Sequence, residues 1–250
     1  MKKLVVAIAL FTSLLVASSC NKLGDDILNS FGSNDSITNE EIINGLKKAL
    51  TLGVDTSVKR LSAVDGYFND KVVKILLPPE AAPIFTNLSK IPGGQQLVDN
   101  TILAINRAAE DAAPEATSIF VKAITDITIA DGKTILNGND SAATTFLKKG
   151  TYTPLQTAFS PKITTSLSKP LVLGTSAEDL YSSLVNTYNT ASLGGTLFPK
   201  ITQNTLGDYV TKKALDGLFH KVAVEEGKIR NDASHRIDQA LEKVFGTKWL

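Results

Sequence analysis

Cysteine, histidine, serine and paired carboxylates are the side chains here that could do chemistry, and they are few. Cys20 is the only cysteine in 250 residues. A lone thiol cannot close an intramolecular disulfide, so its presence needs another explanation. The two histidines are His220 and His235. Asp216 stands four residues before His220, a spacing that places both on one helix face and could present two metal ligands. A zinc-type site needs three or four ligands with oriented neighbours; the chain has neither an HExxH run nor a cysteine pair, and a surface or partly packed histidine is the simpler expectation. Glu225 and Glu226 could supply paired carboxylates. Adjacent helical residues diverge by about 100°, and with Lys228 and Arg230 beside them a solvated face is expected. Gly174-Thr175-Ser176-Ala177-Glu178 breaks the GxSxG nucleophile elbow at its last position. Asn137-Gly138-Asn139-Asp140 brings acidic charge and no lysine, which suits a turn between helices better than a phosphate cradle. Neither GxGxxG nor a Walker loop is present, so no catalytic residue, metal or cofactor is expected.

Cys20 takes its meaning from what precedes it. Lys2 and Lys3 open the chain, and Leu4 to Ala17 follow without a charge. That run is about fourteen residues, whereas a membrane-spanning helix needs roughly 20. A basic start, a short apolar stretch and small residues at its end (Ala17, Ser18, Ser19) mark residues 1–19 as a secretory signal. Because the small residues run straight into the cysteine, the segment resembles the lipobox of bacterial lipoproteins, in the looser form found in the Bacteroidetes, with Ala17 where leucine is usual. The resemblance implies that Cys20 is acylated and becomes the first residue of the mature chain, a membrane attachment rather than a catalyst. Each buried methylene of an acyl chain contributes about 0.8 kcal/mol, so two or more chains hold firmly. The expected location is the cell envelope, at the outer membrane, with its face left open.

Without Lys2 and Lys3, 24 basic side chains remain against 25 acidic ones, a net charge of −1. A balanced surface gives no electrostatic case for nucleic acid. The 43% apolar and 20% charged fractions are those of a globular protein. Residues 20–38, rich in Asn, Asp, Ser and Gly, read as a disordered tether. Lys22, Asp25 and Asp26 there faintly resemble acidic surface-export signals, a plain solvated linker being the simpler reading.

The elements that position the remaining polar residues are helical. Thr38-Asn39-Glu40-Glu41 has the form of a capping box, and Ile42, Ile43, Leu46, Ala49, Leu50, Val54, Val58 and Leu61 recur at helical steps. Gly53 interrupts them, which predicts a close neighbour or a bend. Asp65 to Asn69 reads as a turn, and Val72–Leu77 as either helical or extended. A helix is predicted from about Gln95 to Ala112, another around Ile119–Ile127, and a capped start at Thr128–Asp131. Ser141–Lys149 follows, and Pro154 and Pro161 predict two more short helices. Ser176–Asp179 opens the next. Leu206 to Val222 carries a wide apolar stripe, and Asp232 is the predicted cap of a last helix bearing Ile237, Ala240, Leu241, Val244 and Phe245. Capped helices with no alternating strands predict an all-α, bundle-like single domain of short and medium helices over 39–246, with a tail at 247–250.

Four runs, ALTLGVDTSVKRLSAVDGYFN (Ala49–Asn69), NRAAEDAAPEATSIFVKAI (Asn106–Ile124), ILNGNDSAATTFL (Ile135–Leu147) and DYVTKKALDGLFHKVAVEEGKIR (Asp208–Arg230), together resemble the bacterial family of domains of unknown function numbered 4197. The resemblance spans nearly all of 40–246 and implies an exported or lipid-anchored helical protein; it carries no activity. Within these runs Arg107, Glu110, Asp140, Thr144, Asp208, Tyr209, Lys213, Asp216, Glu226 and Arg230 are polar residues on otherwise apolar helices. They form either buried ion pairs that fix helix register or a polar pocket for a ligand. The expected function is non-enzymatic binding of a partner protein or of an apolar or lipidic ligand, or a purely structural role. The alternative is an enzyme using Arg107, Glu110, Asp216 and Glu226.

Overall fold

Apolar side chains recurring every three or four positions make residues 39–61 an amphipathic helix. This helix, α1 (Asn39–Leu61), buries Ile42, Ile43, Leu46, Ala49, Leu50, Val54, Val58 and Leu61 along one stripe. Glu40 and Glu41 in its first turn and Lys59 and Arg60 in its last complement its dipole. The computed structural model describes residues 37–202 and 205–246; the expected signal at 1–19, Cys20, the expected tether as far as residue 36, and the tail at 247–250 lie outside them. The chain continues through α2 (Ala82–Thr86), α3 (Gly94–Ala112), α4 (Thr117–Thr125), α5 (Ile129–Leu136) and α6 (Ala142–Leu167), then α7 (Ala177–Ala191), α8 (Gly207–Asn231) and α9 (Gln239–Phe245). Among the described residues there is no β-strand, and the fold is all-α.

α8 packs against both α1 and α6, α3 against α6 and α7, and α9 against α1. The alanines of α3 (Ala104, Ala108, Ala109, Ala112) are all buried, and their small size lets neighbouring backbones approach. Phe219 of α8 meets Phe120 edge-on, with centroids 5.2 Å apart, and stacks on Tyr152 at 5.9 Å. Thr128 caps α5 through a capping box with Asp131, and Ser176 caps α7 by accepting from the Asp179 N–H.

Three expectations are corrected. Pro154 and Pro161 do not divide the chain: α6 runs through both. They lie seven residues apart on the exposed side, and Gly150 and Thr157, whose carbonyls they leave without an intrahelical donor, are exposed too. Water can satisfy those carbonyls while Leu155, Phe159, Ile163 and Leu167 hold the opposite face in the core. The close approach in α1 is at Gly45, not Gly53. A Cβ at Gly45 would collide with Val244 of α9, whereas one at Gly53 would meet only the Glu225 Cβ, at an ordinary 3.7 Å. The last helix is capped by Asp238, which accepts from the Ala240 and Leu241 N–H groups; Asp232 instead caps a 3-10 turn, and Ile237 is exposed.

Val72–Leu77 is not helical. After the turn at Asp70–Val73 the chain runs without a regular partner to Pro78. Val73, Ile75 and Leu77 are buried while Leu76 is exposed and Lys74 half-buried, the alternation of an extended segment with one face on the core.

Candidate functional site

α3 carries three polar residues in the stretch that faces this segment. Asn106 is fully buried in a mostly apolar face. Its side-chain amide accepts from the Ile75 N–H (2.9 Å) and donates to the Ile75 carbonyl (2.8 Å), as a neighbouring strand would. Glu110, also buried, accepts from the Tyr67 and Phe68 N–H groups at 3.1 and 3.2 Å. Arg107 bonds Glu110 and reaches Asp65, both at 2.6 Å. These residues therefore fasten the chain leaving α1 onto α3. Tyr67 sits in the same fastening and donates to the Ala214 carbonyl at 2.8 Å. Burial, and then the Glu110 charge, push its hydroxyl pKa up.

A second fastening joins α5, α6 and α8. Glu226 is buried and accepts from the Ala143 and Thr144 N–H groups (2.9 and 2.8 Å) and from the Thr144 hydroxyl (2.8 Å). Ser141, at the N-cap of α6, makes no side-chain capping bond. The carboxylate of α8 thus caps α6 from outside, where the helix dipole favours negative charge. Arg230, one turn on, bonds Glu226 at 2.9 Å and donates to the Ile135 carbonyl at 3.0 Å, satisfying the end of α5. Glu225 is likewise buried, against Arg60 of α1 and Lys228. The solvated face expected for Glu225 and Glu226 is therefore a correction. Two residues 100° apart both meet protein because α8 has a helix on each of two sides.

Asp140 and Asp208 are exposed and belong to neither fastening. Asp140 lies in the turn before α6, and Asp208 in the first turn of α8, where a carboxylate suits the dipole. Arg107 and Glu110, Glu226, and Asp216 thus stand in three separate hydrogen-bonded sets rather than around one reacting centre.

The third set borders an open groove of about 320 Å³ between α8 and Val72–Leu76. Tyr209, Lys213, Asp216 and His220 follow each other at steps of four, three and four along α8 and form one wall; Val72, Lys74 and Leu76 form the other. Asp216 is neutralised by Lys148 (2.9 Å) and bonded by the Tyr152 hydroxyl (3.3 Å). Burial and the Asp216 charge push Tyr152 up to about 12. Tyr209 donates to the Leu77 carbonyl at 3.2 Å, and burial together with the Glu80 charge raises its pKa. Lys213 lies over the Tyr209 ring and Lys74 over the Phe68 ring, 3.9 Å from its centroid. Neither lysine makes an ion pair among the described residues. The groove therefore combines uncompensated positive charge with the exposed apolar side chains of Val72 and Leu76. Its lining contains no serine, threonine or cysteine. Such a surface can bind an anionic, partly apolar group. By contrast, the largely apolar void beside Glu226 between α1, α6, α8 and α9 holds about 10 Å³, room for one water molecule at most.

Asn106, Lys74 and Leu76 were not singled out by sequence reasoning. An asparagine among alanines on a core-facing stripe was the one signal available; Lys74 and Leu76 gain their meaning only from α8 opposite them. Among the described residues no group of three or more His, Cys, Asp or Glu could hold a metal ion, and no helix is long and apolar enough to cross a membrane. No curated protein and no solved structure matches the chain. A family model does match, over residues 36–246, most of the chain and all the helices described above. The chain belongs to the family described as protein of unknown function (DUF4197).

Proposed function

We propose that this is a lipid-anchored protein of the cell envelope, attached at the outer membrane through Cys20, whose helical domain is a non-enzymatic binding module for a partner protein. The groove between α8 and Val72–Leu76 is the binding surface. The observation that carries this reading is the stripe Tyr209, Lys213, Asp216 and His220 facing Lys74 and Leu76, where the one carboxylate is already neutralised by Lys148 and two lysines are not paired. The buried polar residues Asn106, Glu110, Glu225 and Glu226 are instead engaged in holding elements of the bundle together. The void between α1, α6, α8 and α9 is far too small for an acyl chain, which favours a surface-bound protein segment over a lipid held there.

A photo-crosslinking residue placed at His220 in the native host tests the groove. Adducts are expected there, absent from the same residue at exposed Val121 of α4, and lost when Lys74 and Lys213 are changed to glutamate. Equal adducts at both positions, or none at His220, would reject the binding surface. Labelling cells with a fatty acid tests the anchor: Cys20→Ser should abolish incorporation, and equal labelling would reject it.

A further inference from the structure

Resting on that groove, we infer that its partner is an extended acidic peptide segment, taken up by main-chain pairing along the outer edge of Lys74–Leu76. In an extended chain the N–H and C=O of successive residues point to opposite edges. Both backbone groups of Ile75 turn to the Asn106 amide, which closes that edge. Those of Lys74 and Leu76 therefore leave by the other edge, and both residues line the groove. The Lys74 N–H is occupied by the Asp70 carbonyl at 2.8 Å. Among the described residues, the Lys74 carbonyl and the N–H and carbonyl of Leu76 have no partner, although Leu76 is 54% exposed. These three groups alternate as acceptor, donor and acceptor, which a peptide strand can match.

Charge decides what kind of strand. Side chains of an added strand would lie beside Lys74 and Leu76 on one side and reach towards Lys213 and His220 on the other. Acidic residues next to the two lysines and an apolar residue next to Leu76 complement this surface. A second copy pairing through the same edge would bring lysines against lysines, which disfavours it. Pro78 and Pro79 end the edge, so the pairing is short and cannot propagate into a longer sheet.

The probe is an end-blocked heptapeptide Val-Glu-Glu-Val-Glu-Glu-Val, which in either strand direction can set glutamate beside Lys74 and valine two residues away beside Leu76, with lysine in place of glutamate as its control, added to the full-length protein in detergent. Amide hydrogen exchange reads the edge directly. On saturation with the acidic peptide, the Leu76 amide should slow at least about tenfold, while the Ile75 amide, already bonded, changes little. Leu76→Pro, which removes the donor while keeping both its own φ and Ile75 in the extended range, should weaken binding by on the order of tenfold; Leu76→Ala, which keeps the N–H, should weaken it less. Exchange on the unmodified protein keeps the question answerable if Leu76→Pro does not fold. Binding with an unchanged Leu76 amide overturns strand pairing and leaves the groove reading intact. Equal binding of the lysine peptide overturns the charge selection. Leu76 protection through self-association without peptide assigns the edge to a second copy and overturns the inference. If neither peptide binds while His220 still crosslinks a partner, this inference fails alone; if crosslinking fails as well, both fall.

Discussion

Replacing Glu226 by alanine tests whether a side chain of α8 caps α6 from outside. The carboxylate receives two backbone N–H groups, one hydroxyl and Arg230, all between 2.8 and 2.9 Å. Truncation leaves the Ala143 and Thr144 N–H groups without acceptors in the protein interior, at about 1–3 kcal/mol each, although the Thr144 hydroxyl can turn elsewhere. It also strands Arg230, whose side chain is only 10% exposed. Breaking a buried pair from one side costs about 3–5 kcal/mol, and since these terms overlap, that range is the expected total. For a domain of this size it corresponds to a fall in Tm of roughly 6–20 °C. Urea denaturation followed by circular dichroism measures it. Glu226→Gln, which keeps one acceptor oxygen, should lie between the wild type and alanine. The Glu226→Ala/Arg230→Ala double variant should cost less than the two single changes added, by about 0.5–3 kcal/mol. A loss below about 1 kcal/mol for Glu226→Ala, or strict additivity, would refute the external cap.

Gly45→Ala and Gly53→Ala, two turns apart in α1, should act in opposite directions. The first forces α9 outward at a cost of about 1–3 kcal/mol, and the second stabilises by about 1 kcal/mol because its Cβ enters ordinary contact; thermal melts distinguish them. Pro154→Ala restores a helical hydrogen bond on an exposed face and should stabilise by about 2 kcal/mol, the roughly 3 kcal/mol helix penalty of proline being partly offset by a more flexible unfolded chain. The Lys221 hydrogen bond holds Asp70 below its ordinary value of 3.8, against burial. Its contribution to stability is therefore complete above that value and disappears as pH falls through the lower native pKa. Asp70→Asn should lower stability at neutral pH by about 1 kcal/mol or less, with the difference from wild type closing in strong acid; a pH-independent difference in Tm would refute the linkage.

Helix positions and faces were legible in the sequence because amphipathic periodicity and capping are local. The α1 stripe, the Thr128 capping box and the Ser176 cap each rest on residues within a few positions of one another. The prolines of α6 misled for a related reason: their local penalty is real, but only the packed bundle shows that they lie on the solvent side, where freed carbonyls can meet water. The polar set around Arg107, Glu110, Glu226 and Arg230 stood out as charge on apolar helices, yet no local rule says what such charge meets. Glu226 finds the start of a helix more than 80 residues away in sequence, and Arg107 finds Asp65, 42 residues away.

By itself the sequence determined the all-α class, most of the longer helices and the family, all of which depend on neighbours along the chain. Only the tertiary structure decided which polar residues serve as fastenings and which front a groove. Periodicity fixes the face on which Tyr209, Lys213, Asp216 and His220 lie, but what stands opposite that face depends on how distant helices pack. A segment with no regular partner, Val72–Leu77, acquires one closed edge and one open edge only when Asn106 is folded against it.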